Sequence, residues 1–127
     1  SDRAFTTGSA ATFTISGLDT TKDYNLALIG APTLFNTDFT IAGDTKTASA
    51  ATDAGPDDNG ALTFTEGVTH VLFSGLDGST GSITFTTANG GSGAGVLSGL
   101  QLQAVPEPSA VALFGLGSLG LLLRRRR

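Results

Sequence analysis

A chain of 127 residues with a formal charge of −4 and no cysteine has room for one modest domain. It excludes disulfides, thiol catalysis and zinc–thiolate sites. The charge is unevenly placed: Arg3, Lys22 and Lys46 stand against ten acids in residues 1–104, a balance of −7, while four arginines stand against Glu107 in residues 105–127, a balance of +3; an acidic body without a basic patch argues against nucleic acid as a partner.

Before the tail, Gly, Thr, Ser, Asp and Asn dominate, and apolar residues alternate instead of recurring at helical spacing. Ala11–Ile15 reads as a strand with Phe13 and Ile15 on one face. Ser16–Asp23 is a turn-rich loop, and Tyr24–Ile29 is the next strand, with Tyr24, Leu26 and Leu28 on one side. Further strands are expected at Asp38–Ala42, Thr45–Ala51, Ala61–Thr65 and Thr69–Phe73. Phe39 and Ile41 alternate, as do Leu62 and Phe64. Ser74-Gly75-Leu76-Asp77 repeats Ser16-Gly17-Leu18-Asp19, which predicts two equivalent turns. Gly81–Thr87 is a strand with Ile83 and Phe85 inward, Ala88–Gly93 a flexible loop, and Gly95–Ala104 the closing strand. Eight short strands separated by turns predict a β-sandwich.

Residues 105–127 change character. In Val105-Pro106-Glu107-Pro108-Ser109 each proline fixes its own φ and pushes its predecessor out of the helical region, so this segment is stiff and extended. Ala110–Leu123 is uncharged, with Ser118 its only polar side chain, and Arg124–Arg127 are four consecutive cations. As a helix, fourteen residues cover roughly 21 Å at ~1.5 Å each, short of the about 20 residues of an ordinary span. Arginine stems that snorkel and a bilayer that thins locally narrow the gap. Four adjacent arginines fit poorly against a buried core, so the expectation is a membrane helix at 110–123 with its basic end, 124–127, in the cytoplasm.

The order of Val105, Pro106, Glu107 and Pro108, a short hydrophobic stretch and a terminal arginine cluster resembles the PEP-CTERM sorting signal of Gram-negative bacteria. The resemblance implies export, retention in the inner membrane with Arg124, Arg125, Arg126 and Arg127 on the cytoplasmic side, and recognition by exosortase, a transpeptidase-like membrane enzyme. It implies a destination at the cell surface or in an exopolysaccharide matrix. The absence of methionine and of an N-terminal hydrophobic signal then predicts a fragment whose start, with its signal peptide, lies upstream of Ser1. The stretch Ile15-Ser16-Gly17-Leu18 followed by Tyr24-Asn25-Leu26-Ala27-Leu28 is similar to jelly rolls of the galactose-binding and malectin-like type. In these a leucine anchors the loop and a tyrosine hydroxyl ties to nearby backbone.

Other motifs carry less. Asp53, Asp57, Asp58 and Asn59 gather hard oxygen ligands on a glycine-bearing loop, the chemistry calcium prefers, though without EF-hand spacing. Acid-rich loops are usually solvated turns. Gly115-Leu116-Gly117-Ser118-Leu119-Gly120 matches a dinucleotide fingerprint in letters only, for no strand precedes it and no acid follows. His70 is the only histidine and Glu66 the only glutamate before the tail, too few for an evident catalytic pair. The expectation is therefore an all-β, jelly-roll-like sandwich over 1–104 followed by a short hydrophobic helix within a sorting signal over 105–127. It is expected not to be an enzyme, and to work as a structural or adhesive surface protein. The alternative is a carbohydrate-binding module, possible calcium support included.

Overall fold

The computed structural model describes residues 4–6, 8–31, 34–49, 64–107 and 110–125. These form nine strands and one helix: β1 (Ala4–Thr6), β2 (Ala11–Ser16), β3 (Asp23–Ile29), β4 (Thr37–Ile41), β5 (Asp44–Ala48), β6 (His70–Asp77), β7 (Ser82–Asn89), β8 (Gly95–Leu97), β9 (Gly99–Ala104) and α1 (Ala110–Arg125). Three antiparallel groups result: β2-β7-β4-β5, β6-β3-β9 and the pair β1-β8. The pairings nest along the chain, β4 with β5, β3 with β6, β2 with β7 and β1 with β8.

The alternation of apolar residues sets which face is covered. Tyr24, Leu26 and Leu28 of β3, Phe39 and Ile41 of β4, Val71 and Phe73 of β6, and Ile83 and Phe85 of β7 form one buried cluster between the two larger sheets. Phe13 stacks on Phe85 with ring centroids 5.3 Å apart. Burying a side chain of this size contributes about 1.5–3 kcal/mol. Lys46 points inward from edge strand β5, donates to the Leu72 carbonyl at 2.6 Å, and lies 5.1 Å from the Phe73 ring centroid. An inward cation blunts an edge while joining the two sheets. Thr37, fully buried, accepts from Val96 N–H at 3.0 Å and donates to Val96 C=O, linking β4 to β8.

Several expected boundaries move. Ser74-Gly75-Leu76-Asp77 is the end of strand β6 and not a turn. Its two small residues form a bulge opposite Asn25, where the register shifts, Gly75 takes φ +65°, and Gly75 N–H donates to Asn25 Oδ1 at 3.1 Å. The extra residue is accommodated by glycine's access to positive φ. The closing strand is two strands, because Ser98 N–H turns to the Ile29 carbonyl and β8 then pairs with β1 while β9 stays on β3. β5 ends at Ala48, before Ala51. Phe64 is 62% exposed and lies outside any strand, against the expected alternation with Leu62; residues 61–63 fall outside the described residues.

The repeated tetrapeptide does have a structural meaning. Gly17 and Gly75 both take positive φ, Leu18 and Leu76 both pack on the core, and Asp19 and Asp77 each cap the residue two ahead. The connections after them meet at one end of the sandwich: Leu18 N–H donates to Gly81 C=O, and Gly78 packs against Lys22 and Tyr24.

Candidate functional site

The chain leaves the folded body at that same end. β9 runs beside β3 to the pair Tyr24–Ala104, and Val105 N–H still donates to the Asp23 carbonyl at 2.8 Å. Val105 is half-buried, whereas Pro106 and Glu107 are exposed. Pro106 supplies no N–H to continue the ladder, so pairing stops where the extended motif begins. Pro108 lies outside the described residues, as do Arg126 and Arg127.

Helix α1 follows. Every described side chain from Phe114 to Arg125 is exposed, Phe114 by 80% and Leu116 by 73%. The one polar side chain, Ser118, donates to the Phe114 carbonyl at 2.8 Å, which satisfies its hydroxyl within the helix as an apolar surrounding requires. Arg124 and Arg125 occupy the last turn, where cations oppose the negative end of the helix dipole. Gly115, Gly117 and Gly120 sit inside this helix, with open space where a Cβ would be; among the described residues no strand leads directly into them. Among the described residues, no helix is long and apolar enough to cross a membrane.

Of the remaining candidate residues, Glu66 and His70 are neighbours joined by an isolated parallel bridge, with Gly67 N–H donating to the His70 carbonyl at 2.7 Å, and the others are dispersed. Asp53, Asp57, Asp58 and Asn59 lie outside the described residues, and among the described ones no group of three or more acids and histidines is placed to hold a metal. Asp19 accepts from the Thr21 hydroxyl at 2.7 Å and the Thr21 N–H at 3.0 Å, bonds that hold its carboxyl below the usual range, with Lys22 at 3.5 Å adding to the effect. Asp77 is lowered in the same way by the N–H and hydroxyl of Ser79. The Tyr24 hydroxyl accepts from Asp19 N–H at 2.8 Å, so the expected tie between a strand-opening tyrosine and nearby backbone is present. His70 contacts Thr69 Oγ1 through Nδ1 at 3.3 Å and lies beside the Phe64 ring, and Glu66 is exposed.

A feature that the sequence reading missed lies at the same end of the domain. Where β4 turns away from β7, a cleft of about 570 Å³ opens, lined in part by Thr40, Thr84, Thr86, Ile83, Phe85 and Asp77. Its threonine lining is legible in the polar members of the alternating strands, but the opening itself is not, because it depends on where β4 leaves β7.

Comparison with known proteins bears on the tail alone. No curated protein and no solved structure matches the chain. Residues 104–127 match the family model of the PEP-CTERM protein-sorting motif, so the chain carries such a motif from the last residue of β9 onward, and the motif implies export, membrane-proximal sorting and exosortase as the processing partner.

Proposed function

We propose that this is an exported protein held at the inner membrane by residues 105–127 until exosortase acts on the Val105–Pro108 motif, and that it then serves at the cell surface or in an exopolysaccharide matrix. The observation that carries this reading is the exposed apolar helix, Phe114 to Leu123, ending in arginines and continuous with a matched sorting motif. An uncovered surface of that kind is unstable in water and calls for lipid or protein around it. At roughly 24 Å for 16 residues, α1 is shorter than the ~30 Å hydrocarbon core. On this reading it is accommodated by thinning of the bilayer and by arginines snorkelling to the cytoplasmic headgroups.

Residues 1–104 are read as a jelly-roll domain. What supports this is the nested pairing of strands one with eight, two with seven, three with six and four with five. A long antiparallel hairpin rolled into two sheets produces such a pattern. The role proposed for it is structural or adhesive and not enzymatic.

The test is fractionation in a host that carries exosortase. The native chain should enter the membrane fraction and then appear at the surface. A variant with Arg124–Arg127 all replaced by glutamate should do neither, since it lacks the cations that hold the helix end on the cytoplasmic side. Equal sorting of the two chains would refute the reading.

A further inference from the structure

The outer face of the four-stranded sheet is a lattice of threonines. Thr12 faces Thr86, Thr14 faces Thr84, and Thr86 and Thr45 flank Thr40. Two of these pairs are hydrogen-bonded across strands, Thr14 with Thr84 at 3.0 Å and Thr40 with Thr45 at 2.8 Å. Asp38 is the charged side chain on this face, and its carboxylate accepts from the Thr47 hydroxyl. Threonine is an ordinary residue on a solvated strand. A face this poor in charge is less ordinary in a body whose balance is −7.

The lattice leads into the cleft. β4 pairs with β7 only from Thr37 to Thr40, opposite Asn89 to Thr86. Beyond that, the chain turns through Ala42 and Gly43, at φ +49° and +87°, and the early part of β7 is left beside an opening. Thr40, Thr84 and Thr86 of the lattice line the opening together with Ile83, Phe85 and Asp77. Its volume of about 570 Å³ falls within the roughly 300–1,000 Å³ of small-ligand sites. Ala42 holds a left-handed conformation that glycine or asparagine adopts at lower cost, so the lip of the opening is built against local preference.

We propose that this face and cleft bind a segment of uncharged polysaccharide, a partner choice that rests on the matrix role proposed above. Each threonine hydroxyl both donates and accepts, so paired hydroxyls at ~4.8 Å between strands and ~6.8 Å along them offer repeated partners to sugar hydroxyls. The scarcity of charge selects against anionic and cationic polymers. Adjacent strands rotate by roughly 20–25°; a flexible single chain follows that twist, whereas a planar crystalline surface meets only part of the face.

The test is affinity electrophoresis of the full chain in neutral detergent, through gels containing dextran, galactomannan or hydroxyethylcellulose, with alginate as the acidic comparison. At least one neutral glycan should retard the native chain. Thr84→Lys should weaken that binding roughly tenfold, Thr84→Val should weaken it less, and Gln101→Lys, on β9 in the other sheet, should leave it unchanged. Matching thermal melts establish that the variants fold. No retardation by any neutral glycan, equal retardation of Thr84→Lys, or retardation by alginate alone would overturn the proposal. So would a dimer that Thr84→Lys dissociates, because the face would then serve a second copy. Surface delivery of Thr84→Lys is followed in parallel: normal delivery with lost retardation separates the glycan site from the sorting signal, and failed delivery of the native chain with retained retardation refutes sorting alone.

Discussion

Val105 donates its backbone N–H to the Asp23 carbonyl at 2.8 Å, so the sorting motif begins while the chain is still hydrogen-bonded into the folded domain. Five residues, 105–109, lie between β9 and α1, a reach of at most about 18 Å. On the membrane placement proposed above, a processing enzyme works in the gap between a folded body and the bilayer. A short Gly-Ser insertion between Val105 and Pro106 should therefore speed processing several-fold in a pulse-chase in the exosortase-bearing host. An unchanged rate would show that the junction does not limit access.

The two connections that meet beside this exit should be rigid because their backbones are in contact. A Cβ on Gly78 would lie 2.3 Å from the Lys22 carbonyl oxygen and 2.7 Å from Tyr24 Cε2. Gly78→Ala should cost about 1–3 kcal/mol in urea unfolding, as overpacking usually does. Tyr24→Phe removes the bond from Asp19 N–H at 2.8 Å and the longer one donated to the Asp19 carbonyl at 3.4 Å and should cost about 1 kcal/mol. A neutral Gly78→Ala would mean that the clasp yields without strain.

Two buried threonines should respond in opposite directions to the same change. Thr87 is fully buried, and its hydroxyl has no hydrogen-bond partner among the described residues. Thr37 is equally buried but satisfies both backbone groups of Val96. Thr87→Val should stabilise by about 1 kcal/mol, and Thr37→Val should destabilise by about 1–3 kcal/mol by leaving the Val96 groups unpaired. Urea titrations of the two variants distinguish these outcomes by sign.

Asp19 and Asp77 should contribute to the acid limb of stability. Hydrogen bonds to the ionised carboxylates from Thr21 and Ser79 lower both values below the ordinary 3.8. The unfolded chain then binds more protons than the folded one across that window, so stability rises with pH there. The contribution is complete above the unfolded value and is lost as pH falls through the lowered folded values. The double variant Asp19→Asn, Asp77→Asn should flatten the fall in melting temperature below about pH 4, with little change in the slope at neutral pH. An acid limb as steep as the native one would assign it to other carboxylates.

The parts legible in the sequence were those set by near neighbours. Alternation placed β2, β3, β4 and β7 within a residue or two, because period two decides which side chains face the core. The sorting motif needed no folding information at all, since proline stiffness, apolar length and terminal charge are contiguous. What failed to show depended on distant partners. β1 is three residues long and is a strand only because β8 lies beside it. Ser74 and Gly75 carry turn composition, yet pairing with β3 holds them in a bulged strand. The break at Ser98 comes from a bond to Ile29, which local propensity does not encode. The cleft arises from the early departure of β4 from β7, a consequence of register that no single strand reveals.

The claim on which the rest stands is that the arginine-capped apolar tail puts this protein in the hands of a membrane-bound processing enzyme. Intact mass spectrometry of surface-exposed protein from an exosortase-bearing host addresses it directly, with an exosortase-deleted strain as reference. The surface material should lack residues 110–127, while the deleted strain should accumulate the full tail in its inner membrane. Surface protein that retains Arg124–Arg127, or identical masses from the two strains, would contradict the account.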